Sequence, residues 1–231
     1  MRPSRILKAV NWQHAVGELV LIVAGILIAL AISDWNDRRI QRQGELALLV
    51  EVRTALQADL AALESNLETL REAERRIEQL AQVLREPPPY EPALDRLFGA
   101  VYGIRVTNLN TAAYDTLKSV GFQSISNHQL RLGIAEVYDH YYERLTEEHE
   151  IEVQITIDML RPYYLRHFRG LSFWESATPI DYDAVVADTY FKNMIDYRLA
   201  ALRSNQLASY ALAAGEIRNV LEMINEELAR G

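Results

Sequence analysis

The sequence predicts an all-α protein: one N-terminal transmembrane helix followed by an antiparallel bundle of long, coiled-coil-like helices. Three patterns carry that reading. An unbroken apolar run occupies Leu19 to Ile32. Apolar residues then step by three and four along Leu46, Leu49, Leu56, Leu60, Leu63, Leu67, Leu70, Ile77 and Leu84, the spacing that lays one stripe along a helix. The same spacing returns near the C-terminus through Tyr210, Ala214, Ile217, Leu221, Ile224 and Leu228. Two seams so far apart in one chain fit helices that close a single bundle. Four parts follow: a short basic tail (1–11), the transmembrane helix (12–36), a membrane-proximal heptad helix (37–86) and a helical remainder that closes on it (87–231).

Composition excludes several classes. In 231 residues, 49% hydrophobic and 24% charged, the balance is that of an ordered protein. The formal charge of -8 is unevenly spread: residues 1–32 hold Arg2, Arg5 and Lys8 against Glu18, leaving 21 basic and 31 acidic residues beyond. A body that negative repels phosphate backbones, so nucleic acid is not an expected partner. Cysteine is absent, which removes disulfides, thiolate nucleophiles and cysteine metal sites.

The apolar run has the dimensions of a membrane anchor. Trp12 and Trp35 stand 23 helical steps apart, roughly 35 Å at about 1.5 Å per residue. An indole at each end suits the two interfaces of a hydrocarbon core about 30 Å thick. Eleven Leu, Ile or Val residues lie between Val16 and Ile32, favouring insertion by roughly 3 to 7 kcal/mol. Glu18 opposes this, but lies only about 9 Å along the axis from Trp12. His14 precedes it by one turn, so the two share charge at the headgroup level. Gly25, Ala29 and Ser33 form a small-residue ridge of the kind that lets helices pair in lipid. Membrane-anchor residues are therefore Trp12, Glu18, Gly25, Ala29 and Trp35.

A cleaved secretory signal is the competing reading. It has a basic start, an apolar core and the small-x-small sequence Ala29 to Ala31. Against cleavage, Ile32 to Arg39 continues without a turn-former, and Asp34 and Arg38 pair in the favourable acid-first order. Retention is the reading adopted. Three Lys or Arg residues flank each side, and the free amino terminus tips orientation toward N-terminus inside. In a bacterial cell that gives an inner-membrane protein with a cytoplasmic N-terminus and a periplasmic body.

The stretch "GELVLIVAGILIALAISDWNDRR", with Gly17, Glu18, Gly25 to Leu30, Asp34, Trp35 and Asn36, resembles the amino-terminal signature of a bacterial family of single-pass membrane proteins of unknown function. In that signature a basic tail leads into Gly-Glu, an apolar helix, Asn/Asp-Trp-Asn and basic residues. The later "AAYDTLKSVGFQSISNHQL" (Ala112 to Leu130) is similar to a second recurring segment of the same family. The resemblance implies a retained anchor and a helical extracytoplasmic body, and no activity.

Beyond the anchor, Glu, Arg, Gln and Ala fill the positions around the first seam and favour continuous helix to Arg85. "EPPPYEP" then stops it, because proline cannot continue a helix. The seam pairs either with another chain or with later helices of its own. Asn110 or Thr111 caps a helix running to Val120, where Gly121 supplies a left-handed stop and lets Phe122 fold back on Leu117. Ser126 with Gln129 reads as a capping box that opens the next helix. That helix is expected from Asn127 to about Arg161, with Pro162 breaking or kinking it. "IEVQITID" (Ile151 to Asp158) alternates like a strand, but its flanks are helical and helix is kept. "RGLSFWESATPIDYD" (Arg169 to Asp183) reads as a loop whose Phe173 and Trp174 either plug the bundle or touch a partner. Helix resumes from Ala184 to Ala229.

Chemistry-bearing patterns are sparse. Glu136, His140, Glu143, Glu147 and His149 gather within a few turns, yet lack the Glu-x-x-His repeat of di-metal bundles. A solvated charged face is the preferred reading. No phosphate loop, nucleophile elbow or HExxH occurs. No catalytic, cofactor-binding or metal-binding residue is therefore assigned, and the chain reads as non-enzymatic. Three functions compete, the third being a metal-dependent enzyme hidden in that His/Glu cluster. The first is a membrane-anchored interaction or structural protein whose helices contact copies of itself or a membrane protein partner. The second is an extracytoplasmic ligand-sensing bundle, resembling in outline the input domains of bacterial receptors, that signals through another chain.

Overall fold

A computed structural model describes residues 12–230, with side chains from Val16 onward. The expected basic tail (1–11) and the side chains of Trp12 and His14 lie outside the described residues. The chain divides into two compact units at Ala47/Leu48.

The described residues of the first unit are helix alone. Helix α1 runs unbroken over Trp12–Arg85, and from Val16 to Ile40 every side chain is exposed. Near its start an 18-residue window reaches a mean hydropathy of 2.6 with none of it buried. One helix near the N-terminus is thus long and apolar enough to cross a membrane.

The second unit folds around the far part of α1. Leu49, Val52, Leu56, Leu63, Leu70, Ile77 and Leu80 are wholly shut from water. Each such burial contributes about 1.5 to 3 kcal/mol. Glu86 to Pro89 end the helix as the prolines require. Pro92–Leu94 form a 3₁₀ turn that leads into α2 (Asp95–Gly99). Helix α3 (Ala112–Val120) follows an extended stretch. Next come α4 (His128–Glu136), α5 (Tyr142–Gln154) and α6 (Arg161–His167), joined by π-helical turns at Val137–Tyr141 and Ile155–Leu160. A hairpin of β1 (Phe168–Ser172) and β2 (Ser176–Pro179) separates these from α7 (Tyr182–Ala187) and α8 (Thr189–Ala201). A third π-helical turn, Leu202–Leu207, leads into α9 (Ala208–Ala229). The fold is all-α apart from this one hairpin among the described residues.

Both seams are buried in the same core. Tyr210, Ala214, Ile217, Leu221 and Ile224 of α9 join the leucines of α1 there. Their antiparallel direction shows in the cross-links: Glu64 pairs with Arg218, whereas Glu74 and Glu78 pair with Arg203. Rising numbers on α1 meet falling numbers on the C-terminal helix. The seam of α1 therefore lies against later helices of its own chain.

Several boundaries differ from expectation. Asn127, not Ser126, caps α4: its side-chain oxygen accepts from the N–H groups of Gln129 and Leu130. Asparagine offers this acceptor one residue later and so defines the first turn. Gly121 does end α3 at positive φ (102°), but its ψ of 135° leaves the left-handed helical well. A 3₁₀ turn over Phe122–Ser124 follows, and the Phe122 ring meets Tyr114 edge-on at 5.7 Å. Pro162 neither breaks nor sharply ends the helix. It falls in the first turn of α6, after the π-helical turn has let the Arg161 N–H reach back to Thr156. Widening there spares the proline ring its clash with the carbonyl four residues earlier.

The expected loop at Arg169 to Asp183 is largely the hairpin, paired Phe168 with Pro179 and Arg169 with Thr178. It is held by non-local contacts that spacing does not reveal. The Thr178 hydroxyl donates to Asp95 at 2.5 Å, and the Trp174 N–H donates to the Tyr102 carbonyl at 3.1 Å. At Gly99 a Cβ would collide with the backbone of Ser176. Gly99→Ala is expected to lower the urea midpoint of unfolding by the equivalent of about 1 to 3 kcal/mol, since the hairpin must move off α2. A midpoint equal to wild type would show that the hairpin does not need this close seat.

Candidate functional site

A column of tyrosines lines one side of the second unit. Along α4 and α5 the inward positions Ile134, Val137, Tyr138, Tyr142 and Leu145 are buried. The π-helical turn lies in their midst, with the Tyr142 N–H bonded to the Val137 carbonyl five residues back. Such turns are uncommon inside helices and recur at functional sites. Tyr138 stacks on Tyr114 of α3, with ring centroids 4.4 Å apart and planes within 5°. It meets Tyr142 edge-on at 4.8 Å.

Two carboxylates accept hydrogen bonds from the outer phenols. The Tyr142 hydroxyl donates to Asp59 on α1 at 2.6 Å, and the Tyr114 hydroxyl donates to Asp139 at 2.6 Å. Asp59 also accepts from the Asn110 N–H at 3.0 Å. Burial pushes the Asp59 carboxyl above its ordinary value, against the two hydrogen bonds that favour its charged form. Burial likewise pushes all three phenols upward, so they remain protonated donors at neutral pH. The central hydroxyl, that of Tyr138, is buried without a hydrogen-bond partner. The Tyr138 side chain also borders a groove of about 630 Å³, lined further by Thr107, Asn108, Asp139, Tyr142 and Glu143 among others. Thr107 is fixed in turn, accepting from Asn66 at 2.7 Å and donating to the Tyr210 hydroxyl at 3.0 Å.

A second polar group is sealed in the core. Arg198 of α8 and Glu152 of α5 are both wholly buried, with Nη1 donating to the two carboxylate oxygens at 2.7 and 2.5 Å. Nε and Nη2 of Arg198 have no partner, nor do Thr156 Oγ1 and Gln206 Oε1. The Trp174 ring lies 6.0 Å from the Arg198 guanidinium, the geometry of a cation–π contact. This pair holds α5 to α8.

The residues expected from sequence fall elsewhere. Glu18, Gly25, Ala29 and Trp35 are exposed along the first part of α1, and Arg39 lies 6.0 Å from the Trp35 ring. Phe173 and Trp174 form the hairpin tip. Trp174 is half-buried against the core, whereas Phe173 is 65% exposed. With Arg75, Arg76, Arg105 and Glu175 they border a second groove of about 570 Å³. Glu136, His140, Glu143 and Glu147 face solvent, and no cluster of three metal-capable side chains exists among the described residues. Sequence reasoning missed Tyr114, Tyr138, Tyr142 and Asp59. The signal lies in "YDHYYERLTEEHE", where Tyr138 and Tyr142 fall at inward positions while the histidine and glutamates that suggested chemistry fall outward.

Three outcomes follow from this geometry. Tyr138→Phe removes an unsatisfied buried hydroxyl and is expected to raise unfolding stability by about 1 kcal/mol in urea titration; a fall would mean that hydroxyl is satisfied. Glu152→Ala strands a buried guanidinium and is expected to lower stability by about 3 to 5 kcal/mol, with the Glu152→Leu/Arg198→Met double variant losing less. For Asp59 the folded state holds the proton more tightly than the unfolded chain. Its contribution is therefore complete below the ordinary value of 3.8 and is lost as pH rises through the folded value. Asp59→Asn should flatten that part of the stability–pH curve, and an unchanged slope would refute the assignment.

The model of a family of unknown function, DUF6090, matches residues 18–197. That is most of the chain, and the chain belongs to this family. No curated protein matches, and no solved structure matches.

Proposed function

We propose that this DUF6090 member is a single-pass protein of a bacterial inner membrane, with a cytoplasmic N-terminus and a periplasmic helical body, which works by contact rather than by catalysis. The observation that carries the reading is the contrast along α1. From Leu49 to Leu84 its apolar stripe is covered by the protein's own helices, whereas Val16 to Ile40 is uncovered throughout. Water excludes such a surface, at roughly 25 cal/mol per Å², and a bilayer is the medium that accepts it. Since the body's seam is already used, contact with a second membrane chain, whether a copy or another protein, falls to the anchor. Its ridge of Gly25, Ala29 and Ser33 supports this, because small residues let helix backbones approach in lipid.

Leu27→Arg places a charge near the middle of the span at about 2.5 to 3.5 kcal/mol, and should lower the membrane fraction after carbonate washing. An unchanged fraction would sink the anchor. Crosslinking of the detergent-solubilised full chain is expected to give a defined oligomer that Gly25→Leu disrupts, while the body from Leu48 onward sediments as a monomer. A body that associates as strongly as the full chain would move the contact surface off the anchor.

A second reading is favoured by a specific observation, the open groove of about 630 Å³ bordered by Tyr138, Asp139, Tyr142 and Glu143. On that reading the body binds a small ligand and passes the event to a partner chain.

A further inference from the structure

Trp174 stands at the hairpin tip with φ of 67°, the one non-glycine residue at positive φ among the described residues. For a bulky side chain that conformation is uncommon, and it persists where the surroundings over-determine it, as they do at ligand clamps. Here the Trp174 N–H donates to the Tyr102 carbonyl at 3.1 Å, and its carbonyl accepts from Arg76 Nη1 at 3.2 Å. The indole sits so closely on Gly103 that a Cβ there would collide with its Nε1. The chain thus fixes this ring at the edge of the groove of about 570 Å³, a volume within the range of small-molecule sites.

The ring meets two guanidinium groups, those of Arg105 and Arg198, each 6.0 Å from its centroid. Arg198 is buried and neutralised by Glu152. Arg105 is half-buried and lines the groove, and its side chain has no hydrogen bond or ion pair among the described residues. Its Nε is sealed from water, whereas its terminal nitrogens are not. The other arginines of the groove are engaged, since Glu72 accepts from Arg75 Nε at 3.1 Å and from Arg76 Nε at 2.9 Å. Glu68, Glu72 and Glu175 balance Arg75, Arg76 and Arg105 in formal charge. A single negative charge can therefore enter and settle on Arg105, whereas a second would meet the glutamates. Free N–H donors on a planar guanidinium match a carboxylate. Beside them Phe173 packs one side on the Tyr102 ring at 5.2 Å and is otherwise exposed, leaving apolar area for an aromatic group to cover.

We propose that this groove binds a monocarboxylate with an aromatic body, its carboxylate on the Arg105 guanidinium and its ring against Phe173 and Trp174. This rests on the ligand-binding reading of the body but on a different groove, so that either can fail alone.

Titration calorimetry on the detergent-solubilised full chain tests this with 3-phenylpropionate. The controls are 3-phenylpropan-1-ol, which lacks the charge, and butyrate, which lacks the ring. Saturable binding of 3-phenylpropionate is expected, weakened about tenfold or more by Arg105→Gln and by Phe173→Ala, with both controls weaker to a similar degree. Arg166→Gln removes an exposed charge elsewhere and should leave the affinity unchanged. Circular dichroism and the melting temperature without ligand show that each variant is folded. Binding that survives both groove substitutions would place the site elsewhere and overturn the proposal, while leaving a ligand-binding body. Either control binding as tightly as 3-phenylpropionate would overturn it as well, the alcohol on the side of charge and butyrate on the side of the ring. Binding of no probe at all would remove this site, while the groove beside Tyr138 would still carry the second reading.

Discussion

Leu49, Leu56, Leu63, Leu70, Ile77 and Leu84 recur along one side of α1, and each is shut from water. A stripe that long must be covered along its whole length, and only a comparable length of packed chain can do it. The C-terminal helices supply part of this by running antiparallel to α1, a direction marked by Glu64 with Arg218 and Glu74 with Arg203. Those exposed pairs contribute little energy, about 0 to 1 kcal/mol each. Their weight lies in register, since a one-turn slip would break them while still burying leucines. The helices from α4 to α6 fill the remaining side, and the short α2 and its hairpin close the end nearest Arg85. Most of the second unit thus follows from one amphipathic helix and the need to cover it.

Covering that stripe brought polar groups inside, and each is handled differently. Arg198 and Glu152 neutralise one another, but two guanidinium nitrogens remain unmatched. A buried pair of this type adds little net stability over apolar residues of similar size, yet either partner alone is strongly unfavourable. It therefore fixes which faces of α5 and α8 meet. Asp59 is handled by donors brought from two distant segments, Tyr142 and the Asn110 backbone. Tyr138 is not handled at all within the chain.

Legibility in the sequence followed the range of the interaction. Helix periodicity is local, so α1, its stop at Arg85 and the final helix were readable from leucine spacing and from "EPPPYEP". The apolar run was readable for the same reason, since length and hydropathy decide it. What failed was set at a distance or by a single atom. The hairpin at Phe168 to Pro179 contains only one β-branched residue, Thr178, and rests on α2 through Asp95 and Gly99. The shift of the α4 cap from Ser126 to Asn127 turns on which side-chain oxygen reaches two N–H groups first. The π-helical turns have no pattern in composition. The tyrosine site joins residues 59, 114, 138 and 142, whose proximity exists only once three helices have packed.

The two ends of α1 then place different demands on one helix. From Val16 to Ile40 its side chains are exposed on every face, and up to Ile32 the sequence shows a solid apolar run rather than a periodic stripe. After Leu48 only one face is buried, and the sequence changes to a period of three and four with Glu, Arg and Gln between. Glu18 and Trp35 mark the limits of the first regime, Arg38, Arg39 and Arg42 the passage to the second. A helix uniformly apolar over 74 residues would have no reason to choose one face for the bundle, and a uniformly amphipathic one could not remain in hydrocarbon. The pattern changes within a single unbroken helix, from an apolar run long enough to cross a membrane to the one-faced spine of the bundle.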